Sequence, residues 1–324
     1  MSSDIQEECR TAERCTNGEQ SGPPLSSRWG GAIWLQLIAI TFIWSANWIV
    51  SKAAYAYASA FSFLALRFAG ALLAMVAISL VLRLPLIPLA GERLGLGLTG
   101  LLQVGGMAGF SFAGLAYLGP GRAAVLTYTM PIWCIPFGWL LTRSPVIASE
   151  LIGGFVGLAG LLVFLNPAVL NWADSRVLIG NGLCLAGAVA WALGACLYRR
   201  RSWHTGSWTQ TLWQVLWSTL LLAPPFWMAG AGHTIRWTPT LILGLIYNAV
   251  LATAFCYLWW GRVLATVSAP KAGQFLTLVP VLALLMSTVL TGEALSLGAT
   301  CGVILICAGL FITLHKWNSG VRKI

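Results

Sequence analysis

Residues 122–165, RAAVLTYTMPIWCIPFGWLLTRSPVIASELIGGFVGLAGLLVFL, align with residues 271–314, KAGQFLTLVPVLALLMSTVLTGEALSLGATCGVILICAGLFITL, under a shift of 149 positions and without a gap. The register places Arg122 on Lys271, Ala123 on Ala272, Pro131 on Pro280, Leu141 and Thr142 on Leu290 and Thr291, and Gly153 on Gly302. Further on, Ala159, Gly160 and Leu161 fall on Ala308, Gly309 and Leu310. Matched leucines count for little between segments rich in Leu, Ala and Gly. A proline pair, two glycine pairs and a basic pair in one register mark an internal duplication.

Outside the two copies the chain continues as a succession of apolar runs. Hydrophobic residues make up 58% of it and charged residues 9%, against roughly 25% charged in a soluble domain, so its solvent is lipid. Ten runs, at 31–51, 61–82, 95–117, 123–142, 148–166, 178–198, 209–229, 240–260, 272–291 and 297–315, are bounded by charges, Gly or Pro. Each approaches the roughly 20 residues that a membrane-crossing helix needs, and in hydrocarbon such a segment satisfies its backbone only as a helix. The matched segments cover the fourth and fifth runs and the ninth and tenth, so one copy is five helices long. An odd number forces the copies into opposite orientations, the inverted-repeat design of many secondary transporters. The expected fold class is an all-α integral membrane protein with ten transmembrane helices arranged as two inverted five-helix repeats. The expected division is a disordered cytoplasmic tail at 1–29, repeats at 30–166 and 177–315, and a cytoplasmic tail at 316–324.

With both termini placed in the cytoplasm, fourteen Lys and Arg residues flank the inner ends of the runs and four, Lys52, Arg122, Arg176 and Arg236, flank the outer ends. The positive-inside rule favours that multi-pass orientation in the cytoplasmic membrane. Arg67 stands inside the second run and is read as snorkelling to the headgroups. The net charge of +10 lies on loops and not on a basic stripe of a soluble domain, so no nucleic-acid partner is expected. Six of the eight cysteines fall inside apolar runs and read as small buried hydrophobes. No metal site or cofactor is expected, since no Cys/His cluster has zinc spacing. Neither G-x-S-x-G, a Walker A loop nor H-E-x-x-H occurs, and no pair of intramembrane carboxylates; an enzyme is not expected. Without an ATP-binding module, transport has to run on gradients.

Several segments carry a family resemblance: FIWSANWIVSK in the first run, FLALRFAGALL in the second, GLAYLGPGRAAVLTYTMPIWCIPFGWLLT across the third and fourth, AWALGACLYRRR in the sixth, and ATAFCYLWWGRVLATVSAPKAGQFLTLVPVLALLMSTVLTGE across the eighth and ninth. They resemble the drug/metabolite transporter superfamily, and within it the EamA-type ten-helix transporters, over residues 30 to 315. The resemblance implies an inner-membrane carrier, typically an exporter of amino acids or related metabolites, with a cavity lined by helices one, three, four, six, eight and nine. The family pattern often ends its fourth helix with an acidic residue, as Glu293 ends the ninth run here, but Arg143 stands near the equivalent place.

Polar and aromatic residues inside the runs are the candidate substrate-binding residues, because lipid tolerates them only against a cavity or a partner. Asn47 leads, with Trp44 beside it at helical spacing. Gln103 in the third run, Tyr128 in the fourth, Asn248 and Tyr257 in the eighth and Gln274 in the ninth follow, each weighed against service as hydrogen-bonding glue between helices. Trp191 of the sixth run holds a place in its half similar to that of Trp44. Pro131 and Pro280 each remove a backbone hydrogen bond in mid-run and are candidate hinges. The runs hold no deeply placed acid, so the expected cargo is a neutral, zwitterionic or anionic small molecule, and a proton-driven exporter of lipophilic cations is disfavoured. A carrier of lipid-linked or lipophilic compounds and a non-transporting receptor or assembly protein stay open as alternatives, as does a homodimer.

Overall fold

The computed structural model describes residues 31–142, 148–166, 173–230, 235–256, 259–260, 263, 276 and 278–315. Contacts divide the chain into Met1–Leu35, described only over the first turn of α1, and Gln36–Ile324, which carries every packing and site feature below. The described elements are helices: α1 (Gly31–Ala54), α2 (Ala60–Val81), α3 (Arg93–Thr99), α4 (Met107–Leu115), α5 (Pro120–Thr127), α6 (Met130–Thr142), α7 (Ala148–Leu165), α8 (Ser175–Arg199), α9 (Ser207–Gly230), α10 (Pro239–Ile246), α11 (Leu278–Thr291) and α12 (Leu297–His315). Among the described residues six stretches, Ile33–Ala54, Ala60–Val81, Ala90–Leu115, Pro120–Leu141, Ala148–Leu165 and Ser175–Arg199, are long and apolar enough to cross a membrane. Large apolar side chains such as Leu73, Val81, Leu94 and Val289 stand fully outward, as lipid permits and water does not.

Side-chain caps start several helices. Ser59 accepts from the Ser62 N–H at 3.1 Å, Asp174 from Arg176 at 2.9 Å and Thr238 from Leu241 at 3.3 Å, each satisfying a donor that a helix leaves open in its first turn. The fourth run does not stay whole. It breaks at Tyr128 and Thr129 into α5 and α6, with Pro131 in the first turn of α6, where a missing N–H costs least. Pro136, which the sequence reading passed over, is the proline inside α6. Pro280 is buried near the start of the described part of α11.

The duplicated glycines meet in space. A Cβ on Gly309 would lie 2.5 Å from the Gly153 carbonyl oxygen, and one on Gly160 2.6 Å from the Ile306 nitrogen and 2.9 Å from the Gly302 carbonyl oxygen. Sequence register pairs Gly153 with Gly302 and Gly160 with Gly309, whereas the packing of α7 on α12 pairs Gly153 with Gly309 and Gly160 with Gly302. That exchange is what two antiparallel copies related by a two-fold axis require. Close approach through small residues is the usual way helices associate in lipid, where no hydrophobic drive separates them from the solvent. The same relation holds elsewhere. α2 packs on α9, its own repeat equivalent, and α5 of the fourth run packs on α11 of the ninth.

Among the described residues two π-helical stretches interrupt the α geometry, π1 at Gly100–Gly106 between α3 and α4, and π2 at Tyr247–Phe255 after α10. Shifted by 149 positions, π1 falls on residues 249–255, inside π2. π1 packs on α9 and π2 on α2, again exchanging equivalents. Gly100 and Gly105 of π1 leave room for the α9 backbone, since a Cβ there would come within 2.7 Å of the Gln214 Cα and 3.1 Å of the Ser218 Cα. Ser218 donates to the Gly100 carbonyl at 3.1 Å. In π2, Thr253 donates to the Asn248 carbonyl at 2.8 Å, five residues back. Wide turns of this kind concentrate at functional sites.

Candidate functional site

The inward face of α1 presents Trp44, Asn47, Trp48 and Ser51, a progression of three and four residues that keeps them on one side of a helix, and Tyr55 follows in the turn after Ala54. The Trp44 indole N–H donates to the Ala252 carbonyl of π2 at 2.9 Å, and Ser51 donates to the Asn248 Oδ1 at 3.2 Å. Trp48 stacks on Phe112 of α4 with centroids 4.9 Å apart and planes 3° from parallel. It also meets the Tyr128 ring edge-on at 6.5 Å. The Tyr55 hydroxyl donates to the Phe112 carbonyl at 2.8 Å, and the Tyr247 hydroxyl to the Ile43 carbonyl at 2.7 Å. An aromatic interior is thus assembled from α1, α4, the α5–α6 break and π2.

Arg67 corrects the sequence reading. It does not snorkel: it is 8% exposed, with its guanidinium carbon 4.8 Å from the Phe112 centroid and 5.7 Å from that of Phe68. It sits seven residues into α2, about 10 Å along the axis, too deep for its side chain to reach water except through the protein. The signal was the charge itself, alone in an apolar run, and helix-face phase without a partner list could not say which way it turned.

Asn47 is 6% exposed, and its Oδ1 has no hydrogen-bond partner. Asn248 is fully buried and its amide is already engaged, accepting from Ser51 and donating to the Gly244 carbonyl at 3.0 Å. Ser51→Ala therefore orphans one buried oxygen and is expected to cost about 1 kcal/mol, the common value for interhelical hydrogen bonds in lipid. A melting shift of a few degrees with unchanged substrate affinity would fit; weakened affinity at unchanged stability would make Asn248 a cargo ligand. Tyr128 and Trp44 join the aromatic interior, while Gln103 lies on π1 directly under α8, where a Cβ on Gly194 would come within 2.6 Å of its nitrogen. Trp191 is half-buried on α8. Tyr257 and Gln274 fall outside the described residues, as does Lys271.

A second constellation closes one end of the bundle. α11 ends at Gly292 in the left-handed region, φ 69°, a conformation glycine adopts without penalty, and Glu293 folds back from it. The Glu293 carboxylate accepts from the Gly121 N–H at 2.8 Å, from the Arg122 N–H at 3.0 Å and from the Ser287 hydroxyl. Gly119 and Gly121 let it approach, because a Cβ on either would lie within 3.0 Å of a carboxylate oxygen. Arg122 donates from Nε to Asn181 Oδ1 at 3.0 Å and covers the Phe164 ring at 5.5 Å. Lys52 donates to the Leu115 and Ala116 carbonyls at 2.8 and 3.0 Å. A cavity of about 250 Å³ adjoins this clasp, lined by Arg122, Phe164, Asn166, Leu284 and Glu293. At the other end Glu92 accepts from the His204 and Thr205 N–H groups at 2.7 and 3.1 Å, tying the α8–α9 connection to the start of α3. Among the described residues no group of three His, Cys, Asp or Glu could hold a metal ion.

Two copies of one helical unit that cross through their own glycines, face lipid outside and enclose aromatic and polar side chains define a membrane transporter of the duplicated kind. The chain belongs to the EamA-like transporter family, whose model matches it twice, over residues 30–166 and again over 178–315. The "Probable amino-acid metabolite efflux pump" of Salmonella typhimurium is 30% identical over 291 residues, covering 87% of this chain and 94% of that protein. Its namesake in Escherichia coli K12 is 27% identical over 304 residues, 88% and 96% of the two chains. The "Uncharacterized transporter YoaV" of Bacillus subtilis is 26% identical over 290 residues, 88% and 98%. A crystal structure of a protein with no stated activity shares the fold, with a TM-score of 0.64 at 19% identity, over 91% of this chain and 100% of the other.

Proposed function

We propose that the protein is a secondary transporter that exports small polar metabolites, amino acids or their derivatives, across the cytoplasmic membrane by alternating access, with both termini in the cytoplasm. The observation that carries this reading is the set of repeat-exchanged contacts, α2 with α9, α5 with α11 and α7 with α12, around the interior that holds Asn47 and Trp48. A pseudo-two-fold pair of units can rock one way or its mirror at similar energy, which opens one interior to either side in turn. The two amino-acid metabolite efflux pumps among the relatives support the cargo class. Twin π stretches and the α5–α6 break at Pro131 supply places where backbone hydrogen bonds can re-register, and Pro280 stands at the matching place in the second copy.

Counterflow in proteoliposomes tests the reading: vesicles preloaded with an unlabelled amino acid should accumulate the labelled one, with or without a pH gradient. Trp48→Ala, which removes the ring stacked on Phe112, is expected to lower counterflow at least tenfold while the protein stays monodisperse. Strict dependence on a proton gradient with a cationic dye as the moving species would overturn the proposed cargo class.

A further inference from the structure

We infer that the cavity between α3 and the end of α8 seats the headgroup of an anionic phospholipid, held by Arg200 and Arg201 while its acyl chains run out over α3. The inference rests on the membrane fold alone and needs no transport. The cavity measures about 320 Å³ and is lined by Gly95 and Leu98 of α3, Leu197 of α8, and Arg200, Arg201 and Trp203 just beyond it. A phosphodiester headgroup fits such a space, and a pair of acyl chains does not.

The charged wall is fixed before any ligand arrives. A terminal N–H of Arg201 donates to the Gly91 carbonyl, and the guanidinium carbon lies 5.4 Å from the Trp203 ring centroid. That ring stacks on Tyr198 with centroids 5.1 Å apart and planes 20° from parallel, and its indole N–H donates to the Tyr198 carbonyl at 2.8 Å. Gly95 makes the room, since a Cβ there would lie 2.9 Å from both Arg201 Nη1 and Trp203 Cη2. Arg200 stands exposed on the same rim. Glu92, before the first turn of α3, gives its carboxylate to the His204 and Thr205 N–H groups, and no acid is among the described residues that line the cavity.

The C-terminus of α8 favours cations, and membrane topology asks for them in this connection. Neither requirement explains why one of two adjacent arginines is clamped between a carbonyl and a ring beside a hollow. Guanidinium forks suit phosphate oxygens, and basic pockets between membrane helices are where anionic headgroups bind. Beside the cavity α3 offers an apolar track, with Leu94 82% exposed and Leu98, one turn on, 48% exposed. A soluble phosphate would use the arginines and leave that track bare; a phospholipid uses both.

Native mass spectrometry of the detergent-purified chain tests this with dioleoyl phosphatidylglycerol and dioleoyl phosphatidylcholine offered in equal amounts. The first lipid retained is expected to be phosphatidylglycerol, by at least tenfold, and excess glycerol 3-phosphate should not displace it. Arg200→Gln with Arg201→Gln should abolish the preference, whereas Arg322→Gln with Lys323→Gln, an equal loss of charge near the C-terminus, should keep it. Gly95→Ala crowds the ends of Arg201 and Trp203 without altering any charge and should lower the preference several-fold. That variant and the wild-type comparison decide the matter even where the double arginine variant does not fold. Equal retention of both lipids by the wild type, or an unchanged preference in Gly95→Ala or in the folded double arginine variant, overturns the inference. So does an equal loss in the Arg322→Gln, Lys323→Gln protein, which would make the preference one of bulk charge. Displacement by glycerol 3-phosphate would assign the cavity to a soluble phosphate and overturn it as well. A protein that fails here and still performs counterflow leaves the transport reading standing.

Discussion

Gly309→Leu is expected to leave almost no folded protein. A Cβ at Gly309 would stand 2.5 Å from the Gly153 carbonyl oxygen and the Gly157 nitrogen, and 2.8 Å from the Gly157 Cα. All three are backbone atoms in the middle of α7, so no rotamer change relieves the clash. Either α7 and α12 move apart along their length or one of them unwinds. Overpacking commonly costs 1–3 kcal/mol, and with an immovable backbone opposite we expect about 3 kcal/mol or more, a large part of the roughly 5–15 kcal/mol that holds a protein folded. Gly160→Leu faces Ile306 and Gly302 in the same crossing and should be equally damaging. Gly182→Ala, with nothing within 4 Å of its added carbon, should be neutral. Monodisperse yield on size exclusion after graded heating distinguishes them. A Gly309→Leu protein that melts with the wild type would mean that α7 and α12 do not cross at their glycines.

That crossing was readable in the sequence as a register and unreadable as a contact. The 149-residue shift marked Gly153, Gly160, Gly302 and Gly309 as equivalents, because duplicated small residues survive as identities. Which glycine would touch which depended on the direction of the two-fold axis, and the odd number of helices in each copy supplies only its orientation. Membrane class followed from composition alone. The π stretches left no trace in sequence because their residues are as apolar as the α-helical ones around them, and the close α9 backbone that Gly100 and Gly105 admit is a tertiary contact. At the site, the aromatic partners of Trp48 and the engagement of Asn248 depended on which of several plausible helix neighbours lay opposite. Arg67 was misjudged for the same reason: a lone charge in an apolar run has two physical solutions, and the neighbours on each side decide between them.

Glu293→Gln is expected to open the end of the bundle at which Glu293 sits. The carboxylate there accepts from the Gly121 and Arg122 N–H groups and the Ser287 hydroxyl, and its charge acts on Lys52 and Arg122. An amide of the same shape can still accept at one oxygen, but its NH₂ confronts an N–H, and it no longer carries the negative charge that acts on Lys52 and Arg122. Each charge-assisted bond lost is worth about 1.5–3 kcal/mol, and about 1.4 kcal/mol shifts an equilibrium tenfold. The repeat cannot rebuild this clasp at the opposite mouth, since Glu293 corresponds to Ser144, which has no carboxylate, and Gly121 to Pro270, which has no N–H to donate. Closure at the Glu293 end is therefore the state that these residues favour, and removing the charge moves the population away from it. Cys184 is a native reporter: it is fully buried, one turn beyond Asn181 on α8, with its sulfur against Ser111 and Gly114. In a protein keeping Cys184 as its sole cysteine, Glu293→Gln should raise labelling by a membrane-impermeant maleimide at least tenfold when the reagent is applied from the Glu293 side. Applied from the other side, it should raise labelling little. Glu293→Asp, whose shorter side chain reaches one donor, should fall between. Equal labelling rates in the wild type and Glu293→Gln, in proteins of equal melting temperature, would show that Glu293 caps a helix and gates nothing.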